Sequence, residues 1–215
     1  MMKISGGLSE KGVVVGNTFD KYHSGNPIVR KIMRGFEAAL LKLVADANPS
    51  SIHEVGCGEG YWVLRWHEQG LDVRGSDFSG TVIDLAKSNA LEHDLTTDIF
   101  KQKSIYDLQS EWDSADLVVC CEVLEHLEQP QEALQVLQKI SPKYAIFSVP
   151  REPIWSMLNV ARGKYWSSLG NTPGHIQRWS QREFLTLVSQ YFNVEQVSAP
   201  FPWTMLLCSP KKDFN

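Results

Sequence analysis

The chain has 215 residues, 43% of them hydrophobic, and a formal net charge of −4 at pH 7. That length and apolar content suffice for a full hydrophobic core in one domain spanning 1–215. The acidic balance and the lack of any Lys/Arg run argue against the broad basic face that long nucleic acid requires.

The first stretch, MMKISGGLSEKG, has no apolar signal core, and no segment reaches the ~18 continuous apolar residues of a membrane span. The expected location is therefore cytoplasmic. Residues 1–25 are polar with Gly and Ser, and are expected to be a flexible lead that orders only against another surface. From Pro27, the residues Ile28, Val29, Ile32, Met33, Phe36, Leu40 and Leu43 recur at helical spacing and predict one long amphipathic helix over 26–48.

The pattern then switches. SIHEV reads as a strand running into the turn GCGEG, YWVLRWHEQG as a helix closed by Gly70, and LDVRGSD as a second strand ending in an acid. A helix with Val82, Ile83, Ala86 and Ala90 on one face follows, then the weaker strand IFKQKSIYDL and the strong one ADLVVCC. PQEALQVLQKI is a helix leading to the strand YAIFSVP. Strand and helix thus alternate over 51–149, which implies parallel βαβ units in an open α/β sheet. Residues 151–178 mix Trp, Pro, Gly and basic residues and predict an inserted cap. A helix carrying Phe184, Leu185, Leu187 and Val188 precedes NVEQVS and WTMLLCS, which suit a closing antiparallel pair. Cys57, Cys120, Cys121 and Cys208 lack C-x-x-C spacing and are expected to be free thiols.

The turn EVGCGEG places Glu54, Gly56, Cys57, Gly58 and Gly60 at the carboxyl end of the first strand, where open α/β sheets bind ligands. Asp77 ends the second strand, positioned to accept both hydroxyls of a ribose. A dinucleotide fits poorly, because Glu59 would repel a pyrophosphate at the helix N-terminus and the spacing is G-x-G-x-G. A nucleoside carrying positive charge fits better.

Residues 51–149 resemble class I S-adenosylmethionine-dependent methyltransferases, through EVGCGEG, VRGSDFS, KQKSIYD and ADLVVCCEVLEHL in order. The resemblance implies a seven-stranded, mostly parallel Rossmann-like sheet of order 3-2-1-4-5-7-6, the last strand antiparallel, with helices on both faces and a cap. It assigns Gly56 and Gly58 to the methionine portion of the cofactor, Asp77 to the ribose, and Phe78, Ser104 and Ile105 to the adenine. Ser104 stands where the family commonly has Asp. Cys57, Gly60 and the strand end Cys121 belong to the same cradle, and Tyr22 and Arg30 are candidates to close over it.

The stretch CCEVLEH, residues 120–126, is the densest chemistry in the chain. Glu122, Glu125 and His126 stand at i, i+3 and i+4, one face of a helix beginning at the strand's end. One reading is ordinary helix-start charge; the other is a mixed oxygen and nitrogen ligand set for Mg²⁺, Mn²⁺ or a transition ion, wanting a fourth ligand. The E-x-x-E-H pattern is similar to that of the Hen-group small-RNA methyltransferases, and that likeness supplies His175 as the remaining ligand. More broadly the chain resembles ubiquinone-pathway O-methyltransferases, through His23, Asn26, Pro27 and Arg30 and through the insertion after the fifth strand. His126 is the base in a metal-free alternative, with Glu122 beside it as a second catalytic candidate. His53, His67 and His93 are expected to be surface or core residues.

In the cap, Ile154, Trp155, Met157, Leu158, Val160 and Trp166 lie among Arg151, Arg162 and Lys164. They suit a lid, 151–174, touching a membrane surface or lipid-like substrate, or, as the favoured reading, a pocket cover with tryptophan in the core. The expected function is S-adenosylmethionine-dependent O-methylation of a small aromatic or lipid-like acceptor, with nucleic acid not expected as a partner. The alternatives are metal-dependent methylation of an RNA ribose, and a non-catalytic cofactor-binding protein.

Overall fold

The computed structural model describes residues 2–10, 13–163, 165–172 and 174–211. A short antiparallel hairpin, β1 (Ser9–Glu10) with β2 (Val13–Val14), comes first. The helix α1 (Pro27–Ala47) then starts where sequence chemistry allows. Asn26 caps it by accepting the N–H groups of Ile28 and Val29, Pro27 occupies the first turn, and Asn48 ends it with φ 43°. Met33, Phe36, Leu40, Leu43, Val44 and Ala47 form its buried stripe.

The βα alternation follows as β3 (Ser51–Val55), α2 (Tyr61–Glu68), β4 (Asp72–Asp77), α3 (Gly80–Glu92), β5 (Phe100–Gln102), α4 (Ser110–Asp113), β6 (Leu117–Cys121), α5 (Pro130–Ile140) and β7 (Tyr144–Pro150). The chain continues through α6 (Ile154–Ala161), α7 (Gln181–Val188), β8 (Phe192–Ser198) and β9 (Trp203–Pro210). The seven-stranded sheet runs β5-β4-β3-β6-β7-β9-β8, with β9 antiparallel to both neighbours. Counted from β3, that is the expected order 3-2-1-4-5-7-6.

Strand alternation splits the core between two faces. On one, Leu117 and Val119 of β6 pack with α1, α2 and α3. On the other, Val118 and Cys120 pack with Leu134 and Leu137 of α5 and Phe184 and Val188 of α7. Both faces of the parallel strands are covered, which is why they read as continuous apolar runs. All four cysteines are free. No helix among the described residues is long and apolar enough to cross a membrane.

Several expectations change. The lead is seated on the core: Lys3 N–H donates to Asn89 Oδ1 at 2.8 Å, and Glu59 accepts the N–H of Ser5 and of Asn17 at 2.9 and 2.7 Å and the Asn17 amide at 2.7 Å. Glu59 is 1% exposed, so its charge is used up in anchoring the lead, not in repelling a ligand. IFKQKSIYDL yields only the three-residue β5, because Ser104 accepts the Tyr106 N–H and turns the chain into a 3₁₀ segment, Ile105–Asp107. The helix expected directly after β6 is absent: Glu122 is left-handed at φ 60°, and Leu124–His126 is a single 3₁₀ turn. Within 151–178 a regular helix, α6, stands where no periodicity was legible, and Lys164 lies outside the described residues.

Candidate active site

Because β3, β4, β6 and β7 are parallel, Glu54, Asp77, Cys121 and Pro150 come together at one end of the sheet. Gly56 and Cys57 donate their N–H groups to the Ser76 carbonyl at 2.7 and 3.0 Å, which ties the glycine turn to β4. At Gly58, with φ 53°, an added Cβ would meet nothing within 4 Å, so this backbone borders open space. Gly58 and Ser79 donate to the two oxygens of Asp77 at 3.1 and 3.0 Å and fix its carboxylate at the turn. Burial raises the Asp77 pKa against these two hydrogen bonds.

Glu54 is 6% exposed, and its Oε2 has no partner among the described residues. Burial raises its pKa well above the carboxylate range, and the Asp77 charge adds to the effect. A cationic ligand beside it would reverse this. Tyr22 reaches the same place from the lead, its ring stacked on Tyr61 at 3.6 Å and its hydroxyl accepting the Trp62 indole N–H at 3.1 Å. Phe78 is 42% exposed at the end of β4, and Ile105 is buried nearby in sequence to Ser104, whose hydroxyl is committed to its own turn. Gly60 begins α2, and the half-buried Cys121 ends β6. Arg30 is exposed on α1.

Beyond β6 the predicted ligand set divides. One ligand atom from each of Glu125, His126 and His175 lies within 4.8 Å of the other two. Glu122 is not part of this cluster. Its carboxylate accepts the Trp203 indole N–H at 2.6 Å and the Ser148 hydroxyl at 3.2 Å, and its left-handed backbone donates N–H to the Ser148 carbonyl at 3.0 Å. The i, i+3, i+4 argument failed because it assumed a helix.

Glu125 is 2% exposed, and neither carboxylate oxygen has a partner among the described residues. Burial, then the neighbouring Glu122, raises its pKa well above the usual range. The Glu125 carbonyl accepts the N–H groups of Ile176 and Gln177, both at 2.9 Å, and this holds the cap segment, and with it His175, against the site. His126 Nδ1 lies 2.9 Å from the Gly174 carbonyl. A carbonyl only accepts, so Nδ1 carries the proton and Nε2 keeps its lone pair. Burial lowers the pKa of His126, and that of His175 to about 4 with His126 contributing. Two neutral imidazoles and a partnerless carboxylate form a donor set suited to a divalent transition ion more than to Mg²⁺.

Burial also raises Glu122, to about 7, opposed by the Lys21 charge and by the hydrogen bonds from Trp203 and Ser148. Trp203, Trp155 and His175 form an aromatic wall beside these groups, with Trp155 to Trp203 at 5.8 Å and Trp155 to His175 at 6.1 Å. Sequence reasoning missed Ser148, Trp203 and Lys21, and named Trp155 only as one of the apolar residues of the cap. Trp203 had a usable signal, since the first residue of a strand antiparallel to β7 must fall at the carboxyl ends of the parallel strands. Trp203 indeed pairs with Pro150.

Comparison with known proteins bears on the family and the fold. A ubiquinone biosynthesis O-methyltransferase of Rickettsia bellii (strain OSU 85-389) is 33% identical over 99 residues, covering 46% of this chain and 40% of the relative. The chain thus spans about 40% of the length of the curated relatives it matches first. The crystal structure of magnesium protoporphyrin IX methyltransferase from Synechocystis PCC 6803 with bound SAH superposes with a TM-score of 0.67 at 20% identity, covering 89% of this chain and 91% of the other. The methyltransferase domain of bacterial CtHen1-CN gives 0.63 at 20% identity, covering 83% and 99%. Both share the fold, a class I methyltransferase sheet. The profile described as methyltransferase domain matches residues 28–197, most of the sequence, and the chain belongs to that family.

Proposed function

We propose that the chain is an S-adenosylmethionine-dependent O-methyltransferase for a small aromatic or lipid-like acceptor. The observation that carries this reading is the open backbone at Gly58 between Asp77 and Glu54, whose Oε2 has no partner among the described residues. In this reading Asp77 accepts ribose hydroxyls, Glu54 faces the cationic end, and Phe78 and Ile105 border the base. S-adenosylmethionine supplies a methyl group on a sulfonium, transferred by in-line displacement for which positioning gives most of the acceleration. Relatives named as ubiquinone biosynthesis O-methyltransferases support an oxygen acceptor.

An oxygen nucleophile must lose its proton. Glu122, with a pKa of about 7, has the value that suits a base near neutrality, and His126 Nε2 is the second group able to take it. Glu125, His126 and His175 are the residues that would hold a divalent ion, which would lower the pKa of an oxygen bound to it. The wall of Trp155 and Trp203 favours a flat, apolar acceptor. An RNA acceptor has less support, given the −4 net charge. The exposed Met157, Trp166 and Leu169 in 151–174 support contact with a lipid-like substrate or membrane surface.

The test is transfer of labelled methyl from S-adenosylmethionine to a panel of catechols and alkylated phenols, with and without Mn²⁺. An O-methylated product is expected. Tight cofactor binding with no transfer to any acceptor would contradict the reading in favour of a non-catalytic cofactor-binding protein.

A further inference from the structure

His53 is buried on β3, at 1% exposure, and none of the roles above uses it. Both of its ring nitrogens are engaged. Nδ1 lies 2.8 Å from the Asp113 carbonyl oxygen and Nε2 lies 2.9 Å from the Ser76 hydroxyl. A carbonyl only accepts, so Nδ1 carries the proton and the Nε2 lone pair accepts the Ser76 O–H. Burial lowers the His53 pKa to about 4, so the imidazole is neutral near pH 7 and this one tautomer persists.

These two bonds close a ring. The Asp77 carbonyl, one residue on from Ser76, accepts the Lys103 N–H at 2.8 Å. The Lys103 ammonium donates to the Asp113 carboxylate at 2.5 Å, and Asp113 returns to His53 through its carbonyl. Gln109 donates its N–H to the same carboxylate oxygen at 2.7 Å, which fixes Asp113 at the end of α4. The ring therefore runs through His53, Ser76, Asp77, Lys103 and Asp113. Its members border the adenosine end of the cradle, since Asp77 is the ribose acid and Lys103 leads directly into Ser104 and Ile105. The glycine turn meets the ring at its rim, where the Ser76 carbonyl and the Asp77 carboxylate accept N–H groups. An apolar pair of similar shape at positions 53 and 76 would fill the same space with little loss of stability, so the sheet itself does not require this buried polar link.

We infer that His53 is a positioning residue for the adenosine half of the cofactor: through Ser76 and Asp113 it locks the end of β4 to the segment after β5, setting Asp77 against Ile105. The inference rests on the cofactor reading above. His53 itself touches no part of the ligand and acts through the residues it holds.

The experiment is calorimetric titration of S-adenosylhomocysteine, and of 5′-methylthioadenosine, which lacks the amino-acid end, into wild type, His53→Leu, Ser76→Ala and the double variant. Each single substitution should weaken both ligands by one common factor, about tenfold, the scale of a lost buried hydrogen bond. The double variant should match the single variants within about twofold, because both substitutions cut the same link. It also replaces the polar pair by an apolar one, so it supplies the comparison with wild type if a single variant fails to fold. A general loosening of the fold would lower the melting midpoint without weakening the two ligands by one common factor. Affinities of the folded variants within about twofold of wild type, a loss confined to S-adenosylhomocysteine, or a double loss equal to the product of the single losses overturns the inference and leaves the cofactor reading standing. So does a wild type that binds S-adenosylhomocysteine but not the adenosine fragment. A wild type that binds neither ligand overturns the cofactor reading and this inference with it.

Discussion

Trp203 donates its indole N–H to Glu122 at 2.6 Å, joining the first residue of β9 to the turn after β6. The bond, with that from the Ser148 hydroxyl, engages the Glu122 carboxyl outside the Glu125–His126–His175 cluster. It also favours the charged form of a carboxyl that burial otherwise protonates.

Replacing Trp203 with Phe removes that donor and keeps most of the ring volume. The Glu122 pKa should rise from about 7 by about one unit, the scale of a lost charge-assisted hydrogen bond. If Glu122 is the base, the acidic limb of the kcat/KM profile moves up by the same amount. An unmoved limb would remove Glu122 from that role.

Glu122 also predicts a pH dependence of stability. Its folded pKa is raised above the unfolded value, so its contribution is fully present below about pH 4.5 and is lost as pH rises through about 7. Ligand-free protein should therefore lose stability across that window, by about 2 kcal/mol after allowing for partial solvent screening. Denaturant midpoints measured at pH 5 and pH 8 should lie closer together in Glu122→Gln than in wild type.

The division of the acids makes a separate claim about metal. His175→Ala and Glu125→Gln should each weaken Mn²⁺ binding by about tenfold or more, whereas Glu122→Gln should change it little. Equal losses from all three variants would return Glu122 to the ligand set. No loss from any would leave no metal site.

Removing the anchor of the lead should loosen it without unfolding the sheet. Glu59→Ala deletes three hydrogen bonds to a buried carboxylate and should cost about 2–4 kcal/mol. Limited proteolysis should then cut within the first 25 residues faster than in wild type.

The sheet was readable because hydrophobic period switches from helical to strand-like at Ser51, and because glycines and acids fall at strand ends. EVGCGEG and Asp77 could be placed together on that basis alone. The lead was not readable, since its order depends on Glu59, a charged residue whose burial no local pattern announces. The turn after β6 was misread because residue spacing carries no sign of a left-handed Glu122. Trp203, 81 residues from Glu122, meets it only through an antiparallel return strand, a long-range pairing that local periodicity does not encode.

Calorimetric titration of the wild-type protein with S-adenosylmethionine and with S-adenosylhomocysteine, repeated on Asp77→Asn, decides whether the Glu54–Gly58–Asp77 cradle is a cofactor site. Both ligands should bind wild type at one per chain, and Asp77→Asn should weaken both by about tenfold to a hundredfold, the scale of one or two charged hydrogen bonds. No heat of binding from either ligand, or affinities indifferent to Asp77, would contradict it.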